Sequence, residues 1–276
     1  MTRPNLRTLS NHPIALTIAG SDSSGGAGVQ ADLRVFTQLG VYGCTAITAV
    51  TSQNTHEVSH NFVIPALEVR RQVQTVLADL KVQAVKVGML GSAENVEVVA
   101  ELLDGLQHLT PIIDPIFSAS TSAPLLTEAG IRCFRKLLIP RAGLLTPNIV
   151  EAAILLGCQP ADVEREIERS CLQLVELGAK AVLLKGGHTS SDDAEDMLYD
   201  GEFSRFSVRR INTQNLHGSG CTFSAAITAF IAGGEPLHSA VAKAKVAVTE
   251  AIREADALGV GAGRGPLNHF AIRQPG

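Results

Sequence analysis

Short apolar runs rich in β-branched residues recur at residues 14–19, 45–50, 84–87, 112–114, 143–146 and 181–185, with longer stretches of helical period between them. Runs this short read as strands buried on both faces, and their alternation with helices predicts a parallel sheet wrapped by helices, an α/β fold. Between the first two runs Val29, Leu33, Phe36 and Leu39 fall near helical spacing, and Gly40 sits where a helix stop belongs. Further helices are predicted at 66–79, 93–104, 127–138, 148–156, 163–177, 219–232 and 237–255. The alternation breaks late: residues 197–199 and 203–208 flank Asp200-Gly201-Glu202, and Asp-Gly is turn chemistry for a β-hairpin. No Pro/Ser-rich linker, low-complexity block or internal repeat divides the chain, so residues 14–271 are expected to form one domain behind a flexible segment, 1–13.

Composition narrows the partners. Of 276 residues 45% are hydrophobic, enough to cover a sizeable core. A formal net charge of −4 provides no general field for gathering polyanions, so nucleic acid is not an expected partner and any phosphate-binding groups must be concentrated locally. The five cysteines (Cys44, Cys133, Cys158, Cys171, Cys221) form no Cys-x-x-Cys pair or Cys/His cluster, which points to reduced thiols in a cytoplasm. No apolar span reaches membrane length and none precedes residue 14, so a soluble, untargeted protein without a membrane partner is expected.

Two glycine clusters carry the candidate chemistry. The first, Gly20-Ser21-Asp22-Ser23-Ser24-Gly25-Gly26-Ala27-Gly28, lies between a predicted strand and helix, where an open α/β sheet places its ligand loops. It imitates a dinucleotide fingerprint, but the second strand runs into Thr51-Ser52-Gln53-Asn54 without the acidic residue that a ribose needs, and no P-loop pattern occurs. The second cluster, His217-Gly218-Ser219-Gly220-Cys221-Thr222, directly precedes an apolar helix. Free backbone N–H groups converging at a helix N-terminus make an anion hole suited to a transferring phosphoryl group. The plainer alternative is that Ser219 or Thr222 simply caps the helix. Cys221 at that terminus is expected to have a lowered pKa and to accept a proton or position a hydroxyl; otherwise it is a small buried hydrophobe.

Three further groups lie at predicted strand ends. Asp114, before Pro115, and Glu151, in Thr146-Pro147-Asn148-Ile149-Val150-Glu151, are carboxylates able to hold Mg²⁺ through waters. Equally, Asp-Pro opens ordinary turns, and Asn148 with Glu151 three residues later resembles a capping box. Lys185, in Lys185-Gly186-Gly187-His188, puts a cation where it would neutralise nucleotide phosphate.

Taken in order, these motifs resemble the hydroxymethylpyrimidine/phosphomethylpyrimidine kinase family of thiamine biosynthesis, within the ribokinase-like superfamily. The resemblance runs from residue 14 to about residue 270 and is most specific at 19–32, at Thr51-Ser52-Gln53-Asn54-Thr55, at Lys86-Val87-Gly88-Met89-Leu90, and at 146–151, 185–188 and 217–222. It implies a three-layer α/β/α sandwich with a mostly parallel central sheet, ATP as co-substrate, Mg²⁺, and a homodimer. By the same resemblance Cys221 replaces the catalytic aspartate of sugar kinases, and Gly218, Ser219 and Gly220 with Cys221 form its anion hole. Gln53 and Asp32 look like pyrimidine-binding positions, Ala27, Met89 and Gly20 like the lining of that pocket, and Lys185, Thr213 and Gly220 like ATP contacts. A glutamine amide offers both a donor and an acceptor to an aminopyrimidine, and a carboxylate accepts from an amino or hydroxymethyl group. Without the resemblance, Asp32 reads as a solvent-facing helix residue and Gln53 as a polar loop residue.

The implied activity is phosphorylation of 4-amino-5-hydroxymethyl-2-methylpyrimidine and of its monophosphate. One segment departs from the family pattern, which after the equivalent of Asp114 has a Met and then a Lys-Ser-Gly-like stretch with an acidic residue. This chain has Phe117-Ser118-Ala119-Ser120-Thr121-Ser122-Ala123 before Pro124-Leu125-Leu126, leaving only neutral hydroxyls as phosphate donors. Pyridoxine/pyridoxal kinase and a non-catalytic pyrimidine-phosphate sensor are the competing expectations.

Overall fold

Strands β1 (Ile14–Asp22), β2 (Tyr42–Gln53), β3 (Val58–Val63), β4 (Ala84–Val87), β5 (Ile112–Ile113), β6 (Leu144–Leu145), β7 (Val182–Lys185), β8 (Asp193–Tyr199) and β9 (Phe203–Arg209) join one nine-stranded sheet. Their order is β3-β2-β1-β4-β5-β6-β7-β8-β9, parallel from β2 to β7 and antiparallel at the edges, β3 on one side and β8 and β9 on the other. The helices are α1 (Gly28–Gln38), α2 (Ala66–Asp79), α3 (Ala93–Asp104), α4 (Glu128–Cys133), α5 (Ile149–Leu156), α6 (Pro160–Arg165), α7 (Ile167–Glu176), α8 (Ser219–Ala232), α9 (Leu237–Arg253) and α10 (Ala255–Leu258). This computed structural model describes residues 12–106, 108–119, 123–186 and 192–273. Most of the expected N-terminal segment, together with Ser120, Thr121, Ser122, Gly187 and His188, lies outside the described residues.

Neighbouring side chains of the central strands are buried in opposite directions, which divides the interior into two cores. Leu16, Ile18, Val85, Val87, Ile113, Leu145, Val182 and Leu184 pack with α2, α3, α5 and α7. Their neighbours Ala15, Ala84, Ile112, Leu144 and Leu183 pack with α1, α8 and α9. The result is a parallel sheet wrapped by helices, as expected from the alternation, in the three-layer arrangement that the resemblance implies. Helix α8 is buried on almost every side, from Cys221 to Ala232, as its uninterrupted apolar character requires of a core helix.

Local signals account for most boundaries. Ser92 caps α3 by accepting from Asn95 N–H, and Asn148 and Glu151 form a reciprocal capping box on α5. The predicted hairpin is present as β8 and β9, paired from Asp193↔Arg209 to Tyr199↔Phe203. Two expectations need correction. The edge strand β3 is absent from the alternation pattern, because its half-buried and exposed side chains follow no clean period and it pairs only with β2. The helix predicted at 163–177 starts earlier, at Pro160, and is broken at Glu166, whose backbone leaves the helical region (φ −129°, ψ 54°).

The connectivity decides where ligands meet. After β1 the chain moves outward to β2 and β3, then returns to β4 on the other side of β1 and proceeds through β5, β6 and β7. The direction in which successive strands are added thus reverses between β1 and β4, and in open α/β sheets the crevice beyond the carboxyl ends of such strands is the ligand site. Gly20 and Met89 stand at those two ends, and Asp114, Thr146 and Lys185 follow at the ends of β5, β6 and β7.

Candidate active site

The two glycine clusters, far apart in sequence, are in contact. Gly218 adopts φ +81°, and a Cβ there would lie 1.9 Å from the Gly26 carbonyl oxygen, so only glycine permits this approach. Gly28 has φ +59°, a Cβ on it would lie 2.3 Å from the Gly20 carbonyl oxygen, and its backbone N–H donates to the Cys221 sulfur. Helix α8 begins at Gly218 without a side-chain cap. Thr222, the alternative capping residue, instead pairs its hydroxyl with His269 Nε2 at 2.9 Å. The open helix terminus and Cys221 therefore face the first glycine loop.

Two buried ion pairs underlie this junction. Lys86 Nζ lies 2.6 Å from Asp32 Oδ1, with both side chains 0% exposed, and Thr17 Oγ1 donates to Asp32 Oδ2 at 2.6 Å. Burial raises the Asp32 carboxyl, while Lys86 opposes the rise most strongly. Asp32 is not the solvent-facing helix residue that its position alone suggested: it is buried, with one oxygen paired to Lys86 and the other accepting from Thr17. The second pair is Lys185 Nζ with Asp114 Oδ1 at 2.8 Å; Thr146 Oγ1 also donates to Oδ1 (3.0 Å) and Ser224 Oγ to Oδ2 (3.1 Å). A Cβ on Gly220 would lie 3.2 Å from Lys185 Nζ, which puts this cation at the start of α8, with its side chain 12% exposed.

Cys221 sits among these charges. Burial pushes its thiol up to about 11; Lys86 pulls the other way, and Asp114 and Asp32 add to the rise. The expectation of an acidified thiol is thereby corrected: desolvation outweighs the pull of Lys86 and the hydrogen bond from Gly28. Burial also pushes the Glu151 carboxyl up to about 7, against the pull of Lys185 and with Asp114 contributing to the rise. Glu151 Oε2 accepts from the Asn148 N–H in the capping box, so this residue has a structural task whatever else it holds.

Around the crevice, Gly20 lies at an irregularity in the β1–β2 pairing, and a Cβ on it would meet the Met89 sulfur at 2.8 Å. Met89 packs with Ala49, Leu125, Ile116 and Ala119. Of these, Ala119 belongs to the segment that departs from the family pattern, where Ala119 N–H donates to Ala123 O (2.8 Å) and Leu125 N–H to Phe117 O (2.9 Å). Phe117 anchors it edge-on to Phe134, with ring centroids 5.3 Å apart. Gln53, at the end of β2, has its side-chain amide between Thr51 and His217, and Ala27 N–H donates to Asp22 Oδ2 at 2.9 Å. Thr213 is turned elsewhere, with its hydroxyl donating to Asp256 of α10.

Sequence reasoning missed Asp22, His217 and Lys86 as individual residues, although each lies inside a motif it singled out. Asp22 gathers the first loop, accepting from Ser24 N–H and Oγ and from the N–H groups of Gly26 and Ala27, and meets His217 Nε2 at 2.8 Å.

The family model described as phosphomethylpyrimidine kinase matches residues 22–268. A hydroxymethylpyrimidine/phosphomethylpyrimidine kinase of Rhizobium meliloti is 44% identical over 260 residues, covering 93% of this chain and 97% of the relative. Among solved structures, the ADP complex of Bacillus subtilis pyridoxal kinase superposes with a TM-score of 0.84 at 35% identity, covering 94% of this chain and 98% of that one. A phosphomethylpyrimidine kinase of Clostridium difficile gives 0.77 at 36% identity, covering 87% and 99%.

Proposed function

Because the chain belongs to the phosphomethylpyrimidine kinase family, we propose that it transfers the γ-phosphoryl group of ATP to the hydroxyl of 4-amino-5-hydroxymethyl-2-methylpyrimidine, and then to the phosphate of that product, in thiamine diphosphate biosynthesis. The observation that carries this reading is the junction of the two glycine loops, where an uncapped helix terminus, Lys185 and Cys221 converge beyond the strand ends. The substrate oxygen bonds to the γ-phosphorus, the bond from that phosphorus to the β–γ bridging oxygen breaks, and ADP leaves. Phosphoryl transfer needs positioning and charge stabilisation more than covalent help. In this reading the backbone N–H groups of Gly218, Gly220 and Cys221, with Lys185, stabilise the migrating charge, while the Ser219 N–H already donates to the Leu216 carbonyl at 3.1 Å. Cys221 accepts the hydroxyl proton as thiolate, a form that Lys86 favours and burial opposes.

Gln53 with Gly20, Ala27 and Met89 holds the pyrimidine, and Asp32 acts from beneath the pocket through Lys86. Thr213 belongs to the nucleotide side of the same reading. Asp114 and Glu151 flank Lys185, and both interact with it electrostatically. Two such carboxylates suit Mg²⁺, a cation that keeps several waters and takes its other ligands from nucleotide phosphates. Among the described residues no cluster of three or more His, Cys, Asp or Glu forms a metal cage.

Residues 14–271 are taken as one catalytic unit, supported by the single sheet that runs from Ile14 to Arg209. A cytoplasmic location is part of the same reading, supported by five free cysteines; among the described residues no helix is long and apolar enough to cross a membrane. The homodimer also belongs here, supported by the exposed cross-strand pair Val50 and Phe62 near the β3 edge, and sedimentation velocity tests it.

The deciding assay is ADP release with the pyrimidine alcohol, its monophosphate and pyridoxal offered separately. Turnover of the first two supports the reading, pyridoxal alone would make the chain a pyridoxal kinase, and tight binding without ADP would make it a sensor. Replacing Cys221 with Ala should lower kcat by ~10²–10⁴-fold with a much smaller change in KM. Near-normal turnover in that variant would remove Cys221 from catalysis.

A further inference from the structure

The two glycine loops meet through backbone that carries no side chain to hold it there. A Cβ on Gly218 would lie 1.9 Å from the Gly26 carbonyl oxygen, and one on Gly26 would lie 2.5 Å from His217 Cδ2 and 2.9 Å from Pro266 Cβ. Repulsion therefore sets how near the loops can come, but glycine offers almost no apolar area with which to keep them together. Another contact must supply the attraction, and Asp22 is placed to do so.

Asp22 is buried (3% exposed), and its carboxylate joins the two loops. Oδ1 accepts from Ser24 N–H (2.9 Å) and Oγ (2.7 Å), and Oδ2 from Gly26 N–H (3.1 Å) and Ala27 N–H (2.9 Å). Oδ2 also accepts the Nε2 hydrogen of His217 at 2.8 Å, from a residue 195 positions away in sequence. Burial works against the charge on Asp22, but the bonds from His217 and Ser24 outweigh it and hold the carboxyl below its ordinary range. The bond to His217 is thus charge-assisted, the stronger class of hydrogen bond. His217 directly precedes Gly218, where α8 begins uncapped, and its own backbone N–H donates to the Gly265 carbonyl at 3.1 Å.

The next residue reaches the other way. Ser23 Oγ donates to the Gln53 carbonyl oxygen (2.8 Å) and accepts from the Gln53 N–H (2.9 Å), which pins the first loop to the end of β2. Consecutive residues therefore connect the strand end that carries Gln53 with the helix terminus assigned to the phosphoryl group. We infer that Asp22, through its bond to His217, is a positioning residue that fixes the spacing between the Gln53 strand end and the α8 anion hole. The inference deepens the proposed kinase reading and rests on it. That spacing decides how the substrate hydroxyl meets the γ-phosphorus: attack needs an approach of ~3–3.5 Å, and a misplacement of ~1 Å costs ~10²-fold in rate. Each ligand still finds its own half of the site when the bond is lost, so the loss falls on turnover rather than on affinity.

The test uses wild type, Asp22→Asn, His217→Leu, His217→Gln and the double variant Asp22→Asn/His217→Leu. It measures kcat with the pyrimidine alcohol and ATP, and the calorimetric Kd and stoichiometry of the alcohol and of a non-hydrolysable ATP analogue, each alone. Asparagine keeps one acceptor oxygen but turns an NH₂ group toward the donors at the other. Asp22→Asn should therefore lower kcat ~100-fold with each Kd within ~3-fold of wild type, and binding at one site per chain shows that the loss is not unfolded protein. His217→Leu should also lose turnover, the double variant should be little slower than Asp22→Asn alone, and His217→Gln, which keeps N–H donors near the Nε2 position, should recover most of the loss. The inference is overturned if Asp22→Asn stays within ~5-fold of wild-type kcat, if its loss appears as weaker binding at unchanged kcat, or if the two single losses multiply in the double variant. A wild type that does not phosphorylate the alcohol would instead sink the proposed function, and this inference with it. On unmodified protein, ¹⁵N NMR of the histidine rings should show the hydrogen on Nε2 of His217; a bare Nε2 would overturn the inference whatever the variants do.

Discussion

Replacing Lys86 with Met exposes what the buried pair beneath the site contributes. Both partners are 0% exposed and 2.6 Å apart, and apart from Lys86 the carboxylate of Asp32 has the Thr17 hydroxyl as its hydrogen-bond donor. Methionine fills a similar volume, so packing is nearly conserved and the main loss is the counter-charge. Removing one member of a buried ion pair costs about 3–5 kcal/mol, a large part of a typical folding margin of about 5–15 kcal/mol. Burial already raises Asp32, and Lys86 is the strongest opposing influence, so its pKa climbs further in the variant. The sign follows from linkage: a carboxyl with a raised folded value costs nothing while both states are protonated, so the deficit is smallest at acid pH, grows as pH rises above the unfolded value of ~3.9, and is complete once pH passes the new folded value. Adding Asp32→Asn removes the charge and keeps an acceptor for Thr17, so the double variant should recover most of the loss at pH 8. Urea unfolding with an unchanged m-value measures all three proteins. A single variant within about 1 kcal/mol of wild type at pH 8, or a double variant no more stable than Lys86→Met, would refute the reasoning.

Two further outcomes follow from the same geometry. Gly218→Ala should lower kcat/KM by ~100-fold or more, because its Cβ would force the two loops apart at the Gly26 carbonyl; Gly234→Ala, also at positive φ (+89°) but with nothing within 4 Å, should lose only ~1–2 kcal/mol of stability and keep its activity. For His269, burial lowers the ring to about 4, with Arg34 and His217 adding to the fall, so the unfolded chain binds the extra proton first as pH drops. That contribution, up to about 3 kcal/mol, is complete above pH ~6.5 and lost toward pH ~4, and thermal melts of His269→Gln should show a flatter decline of Tm over that window.

How much of this was legible beforehand depends on the range of the interactions concerned. Alternating apolar runs reveal a parallel sheet because a strand covered on both faces must be apolar throughout. The Asn148–Glu151 capping box and the Asp200-Gly201 turn are equally readable, since each is satisfied within a few residues. Strand β3 left little trace because an edge strand with one wet side need not alternate cleanly. The active-site motifs were visible as glycine clusters, but not that Gly26 and Gly218 touch. Nor could any spacing show that Asp32 of α1 faces Lys86 of β4. That pairing exists because position 86 shares its face with Ala84, beneath α1 and α8, while Val85 and Val87 point to the other core. The thiol of Cys221 makes the same point most sharply. Its place at a helix start belongs to the sequence, whereas its charge state was decided by burial and by Lys86, Asp114 and Asp32, groups that only the folded sheet brings around it.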